Sequence, residues 1–450
     1  MTLLPVQFRS LLCVLCALCG SILLTKGAFA QSRQVPAPAQ DQSIIIRNAT
    51  IHTVSGDDIA NGFVAFDKGI ITAVGAGAPP AIADAIVHDA AGGLHVYPGL
   101  FSAETTLGLS EIGSLRETQD HTERGAIKPE VRAAVAVNPD SELITVTRAN
   151  GILTAAIFPQ GGAISGRASV IRLDGWTWED MTIAPEAGLV VSWPRTEIIT
   201  SWWMEQTEEE QRKENQENLE ALATVFDDAL AYLNAKDADA TLETDLRFEA
   251  MRAAMRGTGG APVYVRASTI GQIESAIAWA VRYKVKLVIV GGEQADQCVT
   301  LLKEHDIPVI VRGIHRLPMR RHDAYDQPFA LPGKLYAAGV RFAIASGDEP
   351  AHERSLNHHA ATAAAHGLPK LEALRAVTLS PARIHGLGDQ LGSIEVGKRA
   401  TIILTNGDPL EITTDTLAAW IDGREIDLGN RQKSLDAKYR EKYRQLGLIK

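Results

Sequence analysis

The side chains with the most chemistry to offer gather in the last third of the chain. His352, His358 and His359 lie close together, and His315 and His322 lie in and beside the run MRRHDAYD. Neutral imidazoles are the commonest ligands for zinc, so this is where residues alone would rebuild a metal site; a solvated polar loop has the same composition. The group Arg320, Arg321, Asp323 and Asp326 suits recognition of a substrate carboxylate, whose two oxygens match a guanidinium fork, or equally a structural ion-pair network. The loop FPQGGAISGRAS (158–169) offers backbone N–H groups to an anion or a carbonyl, or is an ordinary glycine-rich turn. It lacks the lysine of a phosphate loop and the spacing of a dinucleotide fingerprint. Cys298 sits among Val299, Leu301 and Leu302, where a buried core thiol is expected rather than a nucleophile.

The elements that must hold these groups follow from the hydrophobic pattern. The run LLCVLCALCGSILL, preceded by Arg9 and followed by TKGAFA, contains three of the four cysteines. It is short for a membrane span, and Ala28 and Ala30 form an A-x-A cleavage signal, so residues 1–30 are expected to be a signal peptide. Its removal takes away Arg9 and Lys26 and no acid, moving the net charge from −10 to −12. Such a balance disfavours nucleic acid and anionic membranes, and the mature protein is expected to be soluble and exported, periplasmic or secreted. With Cys298 alone remaining, no intrachain disulfide can form.

Residues 31–42 read as a flexible lead-in. Short β-patterned segments then appear near both ends, IIIRNATIHTVSG and GFVAFDKGIITAVGAG at one and GSIEVGKRATIILTNG at the other. They imply one small sheet domain assembled from both termini. Between them, GILTAAIFP, APVYVRA, KLVIVGG, IPVIVRG and RFAIASGD are continuously apolar, as strands buried on both faces are. Helical patterns such as IGQIESAIAWAVRY fill the gaps, and 450 residues favour a (β/α)8 barrel over an open sheet. Residues 205–236 read as a long surface helix with an apolar stripe through Leu219, Leu222, Val225, Phe226 and Leu230. In the C-terminal segment, Leu435, Tyr439 and Tyr443 share one helical face and read as a packing stripe.

Four stretches together resemble the amidohydrolase superfamily, in particular its exported imidazolonepropionase-like branch: VYPGLFSAETTLGLSEI (96–112), IPVIVRG, FAIASGD (342–348) and LEALRAVTLSPARIHGLGDQLGSIEVGKRATIILTNGDPL (371–410). The resemblance implies an α/β fold, a distorted TIM-like barrel with a small β-sandwich from both termini. The expected organisation is an N-terminal β-sandwich segment over 43–97, the barrel over 98–388, a C-terminal β-sandwich segment over 389–430 and a terminal helix over 431–450. It also implies hydrolysis of carbon–nitrogen bonds, of dipeptide or non-peptide amides, with one or two divalent metals at the C-terminal barrel face.

The departures from that pattern bear on the chemistry. Where the family carries PGLIDxHxH, this chain has PGLFSAETT, placing Ser102, Glu104 and Thr106 there. The fifth-strand histidine is replaced by Arg266 and the sixth by Gly291 or Gly292, while Asp348 keeps the eighth-strand aspartate. A permanent cation repels a dication, so a guanidinium–carboxylate cluster is expected in the space of the metal. Glu104 and Asp348 are the candidate acid–base pair, with Arg266, Arg320 and Arg321 as candidate substrate-binding residues. No cofactor is expected at the usual positions; Asp348, Glu104 and His352 are the weak candidates for a replacement zinc site. The expected partner is a small molecule or short peptide. The alternative function is a non-catalytic ligand-binding chain, a homo-oligomer or the companion of an active homologue.

Overall fold

The computed structural model describes residues 34–450 apart from Asp348. The expected signal peptide and the Asp348 assignment therefore lie outside the described residues. Two eight-stranded sheets organise the chain. The first contains β1 (Ile44–Ile51), β2 (Ile59–Asp67), β3 (Ile70–Ala76), β4 (Ile86–Asp89) and β5 (His95–Pro98) from one end of the chain. From the other end come β14 (Ile402–Thr405), β15 (Thr416–Ile421) and β16 (Arg424–Glu425). The seam between the two ends is the antiparallel pair β5–β14, where Ile403 faces Tyr97. Ile46, Phe66, Val96, Ile402 and Trp420 share the core of this sheet.

One residue, Gly99, separates β5 from the first barrel strand. A Cβ there would lie 2.7 Å from Leu153 Cδ1, so glycine is what lets the chain pass tightly from one sheet to the other. The barrel strands are β6 (Leu100–Thr105), β7 (Ile152–Ile157), β8 (Ile164–Arg172), β9 (Thr182–Ser192), β10 (Val263–Ala267), β11 (Leu287–Gly291), β12 (Val309–Arg312) and β13 (Phe342–Ala345), paired in chain order. Neighbours from β9 to β13 are parallel, as are β6 and β7. β8 runs antiparallel to both β7 and β9, which is where the barrel is distorted. The segment after β13 stitches the remaining gap: Ile344 N donates to Ala376 O and Phe101 N to Val377 O, at 2.9 and 2.8 Å.

Alternation along these strands decides which side chains enter the barrel. On β10 and β12, Val263, Val265, Val309 and Val311 pack outward against the helices, while Tyr264 and Ile310 belong to the inner core. The same period carries Arg266 and Arg312 inward at the carboxyl ends of their strands, the end where barrels of this class build their sites.

The long helix Glu208–Ala238 forms as expected, with a capping box between Thr207 and Glu210. It buries Leu222, Phe226, Ala229 and Leu233, whereas Leu230, expected in the stripe, is 40% exposed. The C-terminal helix Arg431–Gln445 buries no residue. Leu435, Tyr439 and Tyr443 are 42–49% exposed, so their stripe does not pack on this chain. Among the described residues, no helix is long and apolar enough to cross a membrane.

Candidate functional site

Three strands deliver a charged cluster to the barrel mouth. Glu104, near the end of β6, is almost fully buried, and its two oxygens are divided between two guanidinium groups. Arg266 Nη2 donates to Oε1 at 3.2 Å and Arg312 Nε lies 2.8 Å from Oε2. Arg266 is tied down further by donating from Nη1 to the Pro159 carbonyl at 3.2 Å. The glycine-rich loop therefore supplies an acceptor here, not an N–H cradle.

Burial pushes the Glu104 carboxyl toward its neutral form, but Arg312 and Arg266 outweigh it and hold the pKa below the usual value. For Arg266, burial dominates and lowers the pKa despite Glu104; a guanidinium remains cationic at any working pH. At about 3 Å and an effective dielectric near 20, each attraction is about 5 kcal/mol before desolvation, which cancels much of it. One carboxylate is thus held between two guanidinium groups.

A second carboxyl lies behind the first. Glu353 is fully buried and accepts from Ser346 Oγ at 2.6 Å. Burial raises its pKa, the hydroxyls of Ser346, Ser102 and Thr105 act against the rise, and Glu104 adds to it. Ser102 Oγ and Glu353 Oε1 are both buried without a properly formed hydrogen bond among the described residues. The neighbouring His352, the residue singled out in the sequence, is exposed.

Above the cluster opens a cavity of about 370 Å³, with Arg312, Thr106, Glu111, His121, Gln160 and Glu349 in its wall. Its roof is the segment after β6, which folds back on itself: Asp120 N donates to Leu109 O at 2.7 Å and Glu111 N to Thr118 O at 3.1 Å. Gln160 N donates to His121 O at 2.7 Å, pinning that roof to the glycine-rich loop. Gly162, at φ 75°, permits the approach, because a Cβ there would lie 2.6 Å from Ala126 O. Arg312 Nε is buried, yet its side chain is 32% exposed and lines the cavity. Nη1 and Nη2 make no hydrogen bond to described residues, so the outer edge of this guanidinium is the part available to a ligand.

The structure thus brings Glu104 and Arg266 together and adds Arg312, which the sequence reading did not single out. It keeps Arg320 and Arg321 apart from them. Both are exposed, Arg320 reaching Gln294 Oε1 at 3.4 Å and its own loop's Asp323 through N–H. Neither lines the cavity. His315 and His359 stack with ring centroids 4.2 Å apart, and His315 Nε2 is 2.7 Å from Thr362 Oγ1. No group of three or more His, Cys, Asp or Glu side chains able to hold a metal occurs among the described residues. Gly292 could not carry a ligand without rearrangement, since a Cβ there would lie 2.5 Å from Val309 Cγ1. Cys298 is buried, which pushes its thiol up to about 11.

The floor of the barrel holds a different polar group. His385, fully buried below Phe101 and Phe158, has Nε2 2.9 Å from Ala103 O and Nδ1 2.7 Å from Tyr264 Oη. With Nε2 donating to the carbonyl, Nδ1 accepts from the tyrosine. Burial lowers the imidazole pKa to about 4, so the ring is neutral.

Comparison with known proteins places these features on a familiar scaffold. The pattern of the Amidohydrolase family matches residues 326–429. The amidohydrolase tasK of Hapsidospora irregularis is 26% identical over 424 residues, covering 84% of this chain and 42% of that protein. The chain thus spans less than half the length of this curated relative. Among solved structures, an amidohydrolase from Thermotoga maritima superimposes with a TM-score of 0.73 at 25% identity, over 85% of this chain and 99% of that one. A prolidase complexed with N-methylphosphonate-L-proline superimposes with a TM-score of 0.52 at 16% identity, over 86% and 100% of the two chains, a likeness of fold alone.

Proposed function

We propose that this chain, which carries an amidohydrolase-family segment on that superfamily's fold, binds a small carboxylate-bearing amide at its barrel mouth. In this reading the Arg266–Glu104–Arg312 cluster takes the place of a metal centre. The observation that carries the reading is the engagement of both Glu104 oxygens by guanidinium groups. A divalent cation at Glu104 would have to displace two permanent positive charges, both partly buried. Thr106 would offer it a weak hydroxyl, and position 292 has no side chain. The described residues therefore do not fit a metal, and no step is routed through one.

Within the cluster, the part-exposed Arg312 guanidinium is the cation offered to an anionic ligand. Arg312 brings a guanidinium to the wall of a cavity large enough for an N-acylated amino acid or a dipeptide, with Glu111 and Glu349 on the same wall. The Arg312 fork matches carboxylate geometry. Thr106 and Gln160 add uncharged polar groups suited to an amide.

Calorimetric titration with N-acetyl-L-alanine and with its methyl ester tests this. The acid is expected to bind and the ester to bind at least tenfold more weakly, with Arg312→Ala abolishing the difference. Equal binding of acid and ester contradicts the reading. Export belongs to the same proposal: the protein recovered from its native host should begin at Gln31, and an intact Met1 on the recovered protein would refute cleavage.

A further inference from the structure

We infer that His121 and Glu111 act as base and acid in a metal-independent hydrolysis of the amide bond of a ligand held by Arg312. This inference rests on the carboxylate-binding reading and extends it to turnover.

The geometry converges on one cavity. His121 and Glu111 approach it from the two arms of the folded segment after β6, Arg312 enters from β12, and Gln160 from the loop after β7. Each of the two is fixed through its backbone. Glu111 N donates to Thr118 O, and His121 O accepts from Gln160 N. The Glu111 side chain is steadied by Asn138 Nδ2, which donates to Oε1 at 3.3 Å. His121 Nδ1 is buried and has no hydrogen-bond partner among the described residues. The His121 ring itself lines the cavity, and an imidazole in the wall of a polar cavity can accept a proton from a ligand or a water.

The surroundings favour complementary protonation states. Burial lowers the His121 pKa, Arg116 and Arg266 lower it further, and Asp120 opposes them. Burial raises the Glu111 pKa, Glu142 adds to it, and Ser141 and Asn138 oppose them. The imidazole is thereby biased toward a free base and the carboxyl toward a proton donor, the separation that acid–base pairs require.

With the ligand carboxylate on Arg312, the Gln160 side-chain amide can donate to the scissile carbonyl oxygen. His121 removes a proton from water as the water oxygen bonds to the carbonyl carbon. The carbon–nitrogen bond then breaks, its electron pair staying on nitrogen, which takes the proton of Glu111. The products are a carboxylic acid and an amine. Loss of the imidazolium proton and reprotonation of Glu111 through solvent restore the site. Water and amide are the sole reactants, so no oxidant, reductant or metal is needed.

The test is amine release from N-acetyl-L-alanine and a dipeptide panel, with EDTA present, for the full chain and for His121→Gln and Glu111→Gln separately. Turnover is expected to persist in EDTA. Each variant is expected to lose on the order of 100-fold or more in kcat, with the ligand Kd changed by less than threefold. The kcat–pH profile should lose its acid limb in His121→Gln and its alkaline limb in Glu111→Gln. Arg312→Ala should instead weaken binding. Ligand binding without turnover between pH 5 and 9 overturns the inference and leaves the binding reading standing, as does a kcat within threefold of the parent in either variant. Absence of binding overturns both.

Discussion

The barrel contains two polar groups built on the same strands, and they solve the problem of burial in opposite ways. At the floor, Tyr264 of β10, His385 and the Ala103 carbonyl of β6 are neutral and mutually hydrogen-bonded. Two residues further along β10 and one along β6, Arg266 and Glu104 are charged, and a third strand adds Arg312. The floor leaves no polar atom of Tyr264 or His385 unpaired. Around the mouth, Ser102 Oγ, Glu353 Oε1 and His121 Nδ1 are buried without a properly formed hydrogen bond among the described residues. Buried polar groups that are fully satisfied belong to the structure; groups left partly satisfied call for another explanation, of which function is one.

The largest expected effect comes from removing the shared carboxylate. Glu104→Gln strands two guanidinium groups and should cost about 3–5 kcal/mol in urea unfolding. A loss below about 1 kcal/mol would show that solvent already screens the mouth. The floor is expected to respond to pH instead. His385 has a folded pKa of about 4, below the unfolded value of about 6.5, so the unfolded chain binds the extra proton between them. Its contribution is present above pH 6.5 and is lost as pH falls toward 4, about 3 kcal/mol in all. His385→Phe should flatten that part of the stability–pH curve; an unchanged acid slope would place the sensitivity elsewhere.

Tyr264→Phe removes one neutral hydrogen bond at the floor and should cost about 1–2 kcal/mol, measured by thermal unfolding. A cost matching that of Glu104→Gln would erase the contrast between the two groups. The smallest effect is expected outside both. The Arg212–Glu208 pair on the long helix is exposed, and Arg212→Ala should change stability by less than about 0.5 kcal/mol.

Much of the scaffold was legible because it repeats. Apolar runs marked the parallel strands, and the texture of the two ends marked the shared sheet. The antiparallel β8 was hidden inside a glycine-rich stretch whose periodicity says little. The candidate site was legible to a lesser degree: Glu104 and Arg266 stand where the sequence departs from the motif it resembles, and the structure joins them. Arg312 was printed in IPVIVRG, but an arginine at the end of an apolar run reads as a strand terminus. What identifies it is register, since it follows the inward Ile310 by two. Glu353 escaped for the opposite reason. A short 3-10 turn, Pro350–Ser355, turns it inward and leaves His352 outside, a one-residue distinction that no pattern in that segment carries. His121 and Glu111 lie on an irregular fold-back with no period to read. The family pattern itself covers 326–429, whereas Glu104, Glu111, His121, Arg266 and Arg312 all precede it. The most recognisable stretch of the chain holds the barrel closed, and the residues of the proposed site lie outside it.

The most direct test of the proposal that an arginine–glutamate–arginine cluster takes the place of a metal centre is elemental analysis of the purified, unchelated protein. The account predicts zinc, iron and manganese each well below 0.1 per chain, unchanged when Arg266 is intact and the medium is metal-supplemented. Near-stoichiometric content of any one of them would contradict it.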